Sequence, residues 1–117
     1  MISLHKIKHI YLYPGFTDMR CGIKSLSVKV NSSFTPEESE SCLFIFCGRR
    51  KNSIKILEFS KDGVWLYQKV FNASRFRWPK DEKTTIELEE RQLLWLLDGL
   101  SIVQVKASKE TGNLVRF

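Results

Sequence analysis

Apolar, β-branched and aromatic side chains crowd and partly alternate through Ile7-Lys8-His9-Ile10-Tyr11-Leu12-Tyr13, and Pro14-Gly15 breaks the run, which predicts a first strand closed by a turn. From Met19 to Phe34 the period changes. Met19, Ile23, Leu26, Val30 and Phe34 recur at steps of four, three, four and four, one face of a helix, with Thr17 or Asp18 placed to cap its start. Arg20, Lys24 and Asn31 fall on a different face, turned to solvent or a ligand. Thr35-Pro36 is expected to close this helix, and residues 36–41 read as a polar, acidic loop.

Three strand-like runs follow, at residues 42–47, 53–59 and 64–71. Gly48 to Asn52 and Ser60 to Gly63 are hairpin connections, the second marked by Asp62-Gly63, where glycine would supply the positive φ of a primed turn. The outcome is an antiparallel meander. Its first strand is apolar at nearly every position, as a central strand covered on both faces should be, and its third puts Trp65, Tyr67, Lys69 and Phe71 on one side.

Arg75-Phe76-Arg77-Trp78-Pro79 alternates cations with rings and ends in proline, so it reads as an edge strand or extended arm. Residues 80–83 are a charged loop and 84–88 a short extended segment. Glu89 to Asp98 carries Leu93, Leu94, Leu96 and Leu97, acidic residues in its first turn and Gly99 after its last, the marks of an amphipathic helix. Ile102 to Val105 reads as a closing strand and residues 106–117 as a polar tail. The expected fold class is α+β, an antiparallel β-meander sheet packed by an N-terminal helix and a C-terminal amphipathic helix, in a single domain over residues 1–105.

Length and composition agree with one globular unit: 117 residues, 43% apolar, 12% aromatic and 27% charged. The N-terminus lacks a signal-peptide pattern and no run is long enough to span a membrane, so the expected place is the cytoplasm. Cys21, Cys42 and Cys47 have no paired spacing, and with only His5 and His9 to join them neither a disulfide framework nor a metal site is expected. His5 and His9 read as surface residues, and Cys42 and Cys47 as small apolar core side chains.

Charge changes the picture more than composition does. The net charge is +6, yet residues 1–80 hold 14 basic against 6 acidic side chains, whereas residues 81–117 hold 5 against 7. Between residues 42 and 80 nine cations face only Glu58 and Asp62. Such a balance suits a polyanion, although Lys and Arg also serve simply to solvate strand faces. The turn Gly48-Arg49-Arg50-Lys51-Asn52 packs three cations into one connection, where their heads can converge on phosphate. In the 75–79 arm, rings that stack a base and rings that cover the core are both consistent with the spacing, and core packing is the simpler reading for Phe76 and Trp78. No nucleophile elbow, phosphate-binding glycine loop or two-metal carboxylate set is present, so no catalytic residue, metal, cofactor or small-molecule substrate is assigned.

Taken in order, Pro14-Gly15-Phe16-Thr17-Asp18-Met19-Arg20, Leu43-Phe44-Ile45-Phe46 with Arg49-Arg50, Ile54-Lys55-Ile56-Leu57, then Gly63, Leu66 and Lys69, then Arg75-Phe76-Arg77-Trp78-Pro79 and Gln92 to Leu100 resemble the TnpB accessory protein of bacterial insertion elements of the sixty-six family. The likeness spans about residues 7–102. That family is distinct from the RNA-guided nucleases sharing the name. The resemblance implies a non-catalytic factor for transposition of a mobile insertion element, a form of DNA recombination, acting with an element-encoded transposase and other accessory proteins. Asp18, Met19, Arg20, Arg49, Arg50, Lys55, Lys69, Arg75, Phe76, Arg77, Trp78 and Pro79 match its recurring positions. Cys21, Val70 and Ala73-Ser74 depart from it, each losing positive charge or turn freedom. The expected nucleic-acid contacts are Arg20, Arg49, Arg50, Lys55, Lys69, Arg75 and Arg77, with DNA as the ligand. The alternative is a protein-interaction module in which Trp95, on the last helix, docks on the transposase without nucleic-acid contact.

Overall fold

The computed structural model describes residues 3–80 and 83–103. After a 3-10 turn at Leu4–Lys6, the chain forms β1 (His9–Leu12), α1 (Ile23–Asn31), α2 (Pro36–Ser39), β2 (Cys42–Cys47), β3 (Ser53–Phe59), β4 (Val64–Val70), β5 (Ile86–Leu88) and α3 (Glu90–Leu97). The fold is α+β, as expected. Its five strands lie in the order β4-β3-β2-β1-β5.

The meander of β2, β3 and β4 is present, with Ile45 opposite Ile56 and Ile56 opposite Tyr67. The sheet as a whole is mixed, however, and corrects the expectation of an antiparallel one: β1 runs parallel to β2, pairing His9 with Cys42 and Leu12 with Ile45. Residues 13–41 are long enough to cross back over the sheet, which is what a parallel pair requires. β5 then adds antiparallel to β1, Ile10 opposite Leu88, and His9 Nδ1 lies 2.7 Å from Glu87 Oε2 across that pair.

Side-chain alternation divides the core in two. Cys42, Phe44 and Phe46 of β2 and Leu57 of β3 face α1, where Leu26 and Val30 cover them. Leu43, Ile45 and Cys47 with Ile54 and Ile56 face the opposite way, under Leu93 and Leu96 of α3 and under Phe76 and Trp78. Every residue of β2 is buried, as its continuous apolar run requires. Burial pushes the Cys47 thiol up to about 12, so it is an inert part of the core, and the three cysteines are unbridged.

Local departures have local causes. α1 begins at Ile23 rather than Met19, with Gly22 and not Thr17 or Asp18 before it, because the Asp18 carboxylate is occupied by Arg20. Ile23, expected on the buried face, is exposed, while Met19 and Phe34 pack against the α1 side of the core from outside the helix. Residues 36–39 are helical rather than a loop: Thr35 Oγ1 accepts from Glu38 N and Glu38 Oε1 accepts from Thr35 N, a reciprocal cap with proline at the first turn. Thr35 therefore starts a helix instead of closing one. Gly63 does not take positive φ. Its connection is closed by Ser60, whose backbone N–H and Oγ both donate to the Gly63 carbonyl, and the left-handed residue among the hairpin connections is Lys51, at φ 61°. Gly99 does take φ 82° after α3, ending it as expected. Residues 102 and 103 are not strand, and the rest of the expected closing strand and the polar tail at 106–117 lie outside the described residues.

Candidate nucleic-acid interface

The carboxyl ends of β1 and β2 point the same way, and three loops meet there. Thr17 N–H donates to the Cys47 carbonyl at 2.8 Å, tying the loop after β1 to the end of β2. Phe76 N–H donates to the Lys51 carbonyl at 2.6 Å and Gly15 N–H to the Pro79 carbonyl at 3.0 Å, so the 75–79 arm is bound to both the β2–β3 connection and the loop after β1. Trp78 Nε1 donates to the Tyr13 carbonyl at 3.0 Å and fixes the indole. Because Phe76 and Trp78 are buried, their neighbours Arg75 and Arg77 are carried outward.

The loops form one rim, and the rim holds most of the expected cations. Arg20, Arg49, Arg50, Arg75 and Arg77 are all exposed there. Arg49 lies 5.8 Å over the Phe16 ring, which holds the guanidinium beside the Asp18–Arg20 turn. Arg75 and Arg77 line a cleft of about 940 Å³ together with Lys51, over a floor of Phe76, Trp78 and Ile102. Lys51 is the rim residue that the expected contact set omits, although the basic turn containing it was plain in the sequence.

Arg20 is not a loose cation. Its Nε and Nη2 bond the Asp18 carboxylate at 3.0 and 2.6 Å, and its backbone N–H donates to the same carboxylate at 2.9 Å. These bonds hold Asp18 at about 2, below the usual carboxylate value. The guanidinium side chain remains 91% exposed, so the pair fixes its direction without covering it.

Two of the expected contacts have other partners. Lys55 is only 8% exposed, and its ammonium donates to the Cys21 carbonyl at 2.7 Å, joining β3 to the lead-in of α1. Lys69 turns its ammonium onto the Leu97 carbonyl at the end of α3 and lies 4.9 Å over the Phe71 ring. Trp95 is half-buried with the Arg91 guanidinium 5.7 Å over its ring. Among the described residues the large exposed aromatic is instead Trp65, on β4.

His5 and His9 are exposed, and among the described residues no group of three or more His, Cys, Asp or Glu side chains is placed to hold a metal ion. Among the described residues no helix is long and apolar enough to cross a membrane.

Residues 8–107 match a protein family described as "IS66 Orf2 like protein". An uncharacterised protein, y4hO, of Sinorhizobium fredii (strain NBRC 101917 / NGR234) is 33% identical over 91 residues, which cover 78% of this chain and 79% of that protein. No solved structure matches the chain.

Proposed function

Because the chain belongs to the IS66 Orf2-like family, whose place is that of a transposition-associated accessory protein, we propose that it binds DNA through the rim arginines while assisting the element's transposase. The single observation carrying this reading is the convergence of Arg20, Arg49, Arg50, Arg75 and Arg77 on three loops hydrogen-bonded to one another. Guanidinium groups bond phosphate oxygens in a fixed fork, and five held on one rim address several successive phosphates. Lys51 joins them from the cleft. Lys55 and Lys69 support the surface rather than form it: one, buried, braces the loop carrying Arg20, and the other bonds the end of α3.

The buried rings favour one mode of contact. Phe76 and Trp78 are not presented to a base, so the arm grips backbone rather than stacking on single strands. We assign the chain no catalytic step, and place its action in the cytoplasm with the transposase and other element-encoded factors.

The test is fluorescence anisotropy with random and element-end duplexes. Arg49→Ala and Arg77→Ala should each weaken binding roughly 3- to 10-fold on either duplex. Wild-type protein that binds no DNA, together with a transposase pull-down lost in Trp95→Ala and kept in Arg49→Ala, would replace this reading with a protein-docking module.

A further inference from the structure

Among the described residues β4 is an outer strand, pairing on one side only, with β3. Sheet edges of this length are ordinarily protected by proline, a bulge or outward charge. β4 has seven residues, no proline and one charged side chain, Lys69, whose ammonium is folded back onto α3.

On the α3 side of this edge an apolar groove of about 470 Å³ opens, lined by Leu4, Ile56, Tyr67, Lys69, Leu94 and Leu97. The same face of β4 displays Trp65, 62% exposed and stacked on Tyr67 at 6.3 Å between ring centroids. Among the described residues, then, the exposed indole of Trp65 stands two positions along the strand from Tyr67, which lines the groove.

We propose that a second copy of this chain pairs antiparallel with β4 about a two-fold axis at Tyr67, each Trp65 entering the groove of the other. This register uses all seven residues and sets Val64 against Val70, Leu66 against Gln68 and Trp65 against Lys69. Lys69 lines the groove, so an indole set against it is delivered there. Charge favours the same register. Each chain carries +6, and an axis at Lys69 would oppose two lysines, whereas an axis at Tyr67 sets each Lys69 against the partner's Trp65 position, whose neighbour on β3 is Glu58. Each indole, 62% exposed, has roughly 90–155 Å² left to bury, so with the two strand edges the interface lies at or below the lower end of specific interfaces, about 1,200 Å². The dimer is accordingly weak and reversible, forming at roughly micromolar concentration.

Sedimentation equilibrium of the full chain without DNA tests this. The average mass should climb from 13.7 kDa towards twice that value with concentration. Trp65→Lys should raise the dissociation constant at least about 10-fold by opposing two ammonium groups. Val64→Cys and Val70→Cys chains should crosslink through a short bis-maleimide when mixed, and neither alone nor the wild type should do so. A wild type that stays monomeric at about 100 μM, a dimer indifferent to Trp65→Lys, or crosslinking equal in single and mixed samples would each overturn the proposal. Arg49→Ala should dimerise normally, so this inference and the DNA reading fail separately.

Discussion

A lysine head can travel several ångströms from its Cα, and where it comes to rest decides what the residue does. Lys55 rests on the Cys21 carbonyl inside the fold. Lys55→Met should therefore cost stability, about 1–3 kcal/mol for the orphaned carbonyl, in a chemical denaturation series, while leaving the salt dependence of DNA binding unchanged. An unchanged midpoint with a shallower salt slope would make it a phosphate contact instead. Asp18 is the opposite case, an exposed group whose partner is its near neighbour. Its folded value of about 2 lies below the ordinary 3.8, so its pairing with Arg20 is complete above pH 3.8 and is lost as pH falls through about 2. A carboxyl-detected NMR titration should give a midpoint near 2, and one near 3.8 would show that the pair does not hold in solution. The sequence displayed each of these cations, but not whether its head meets a carbonyl, a carboxylate or solvent. The carbonyl partner of Lys55 is 34 residues away, and no local pattern records it.

Elements were most legible where the hydrophobic period was long and the ends were marked. β2, β3, β4 and α3 stand where alternation, a continuous apolar run and the Gly99 stop place them. α2 was hidden because four residues carry no period, although Thr35-Pro36-Glu37-Glu38 holds both halves of a reciprocal cap. Thr35→Ala should accordingly cost about 1 kcal/mol in thermal unfolding, and no loss would mean that this cap does not matter. The parallel pairing of β1 with β2 had no local signature, since it depends on how residues 13–41 pack over the sheet. The 75–79 arm shows the reverse: alternation assigned its rings to the core correctly, although the segment is not strand. Phe76 is 1% exposed and stacks on Phe71 at 4.2 Å. Phe76→Ala should cost about 3–5 kcal/mol, and it should loosen DNA binding by freeing the backbone that aims Arg75 and Arg77. A stable variant with undiminished binding would separate the arm from the site.

Across the whole molecule the lopsided charge of the sequence becomes geometry. Cations separated by more than fifty residues, from Arg20 to Arg77, come to one end of the sheet because the loops after β1 and β2 and the 75–79 arm exchange backbone hydrogen bonds there. The central claim is that this rim neutralises DNA phosphates as a unit. The logarithm of duplex affinity against the logarithm of salt concentration measures it most directly, for the wild type and for a chain in which Arg49, Arg50, Arg75 and Arg77 are all alanine. Five neutralised phosphates predict a wild-type slope of roughly −4 to −5, falling to about −1 to −2 in the variant, which keeps Arg20 and Lys51. A wild-type slope near zero, or one that the four substitutions leave unaltered, would contradict the account.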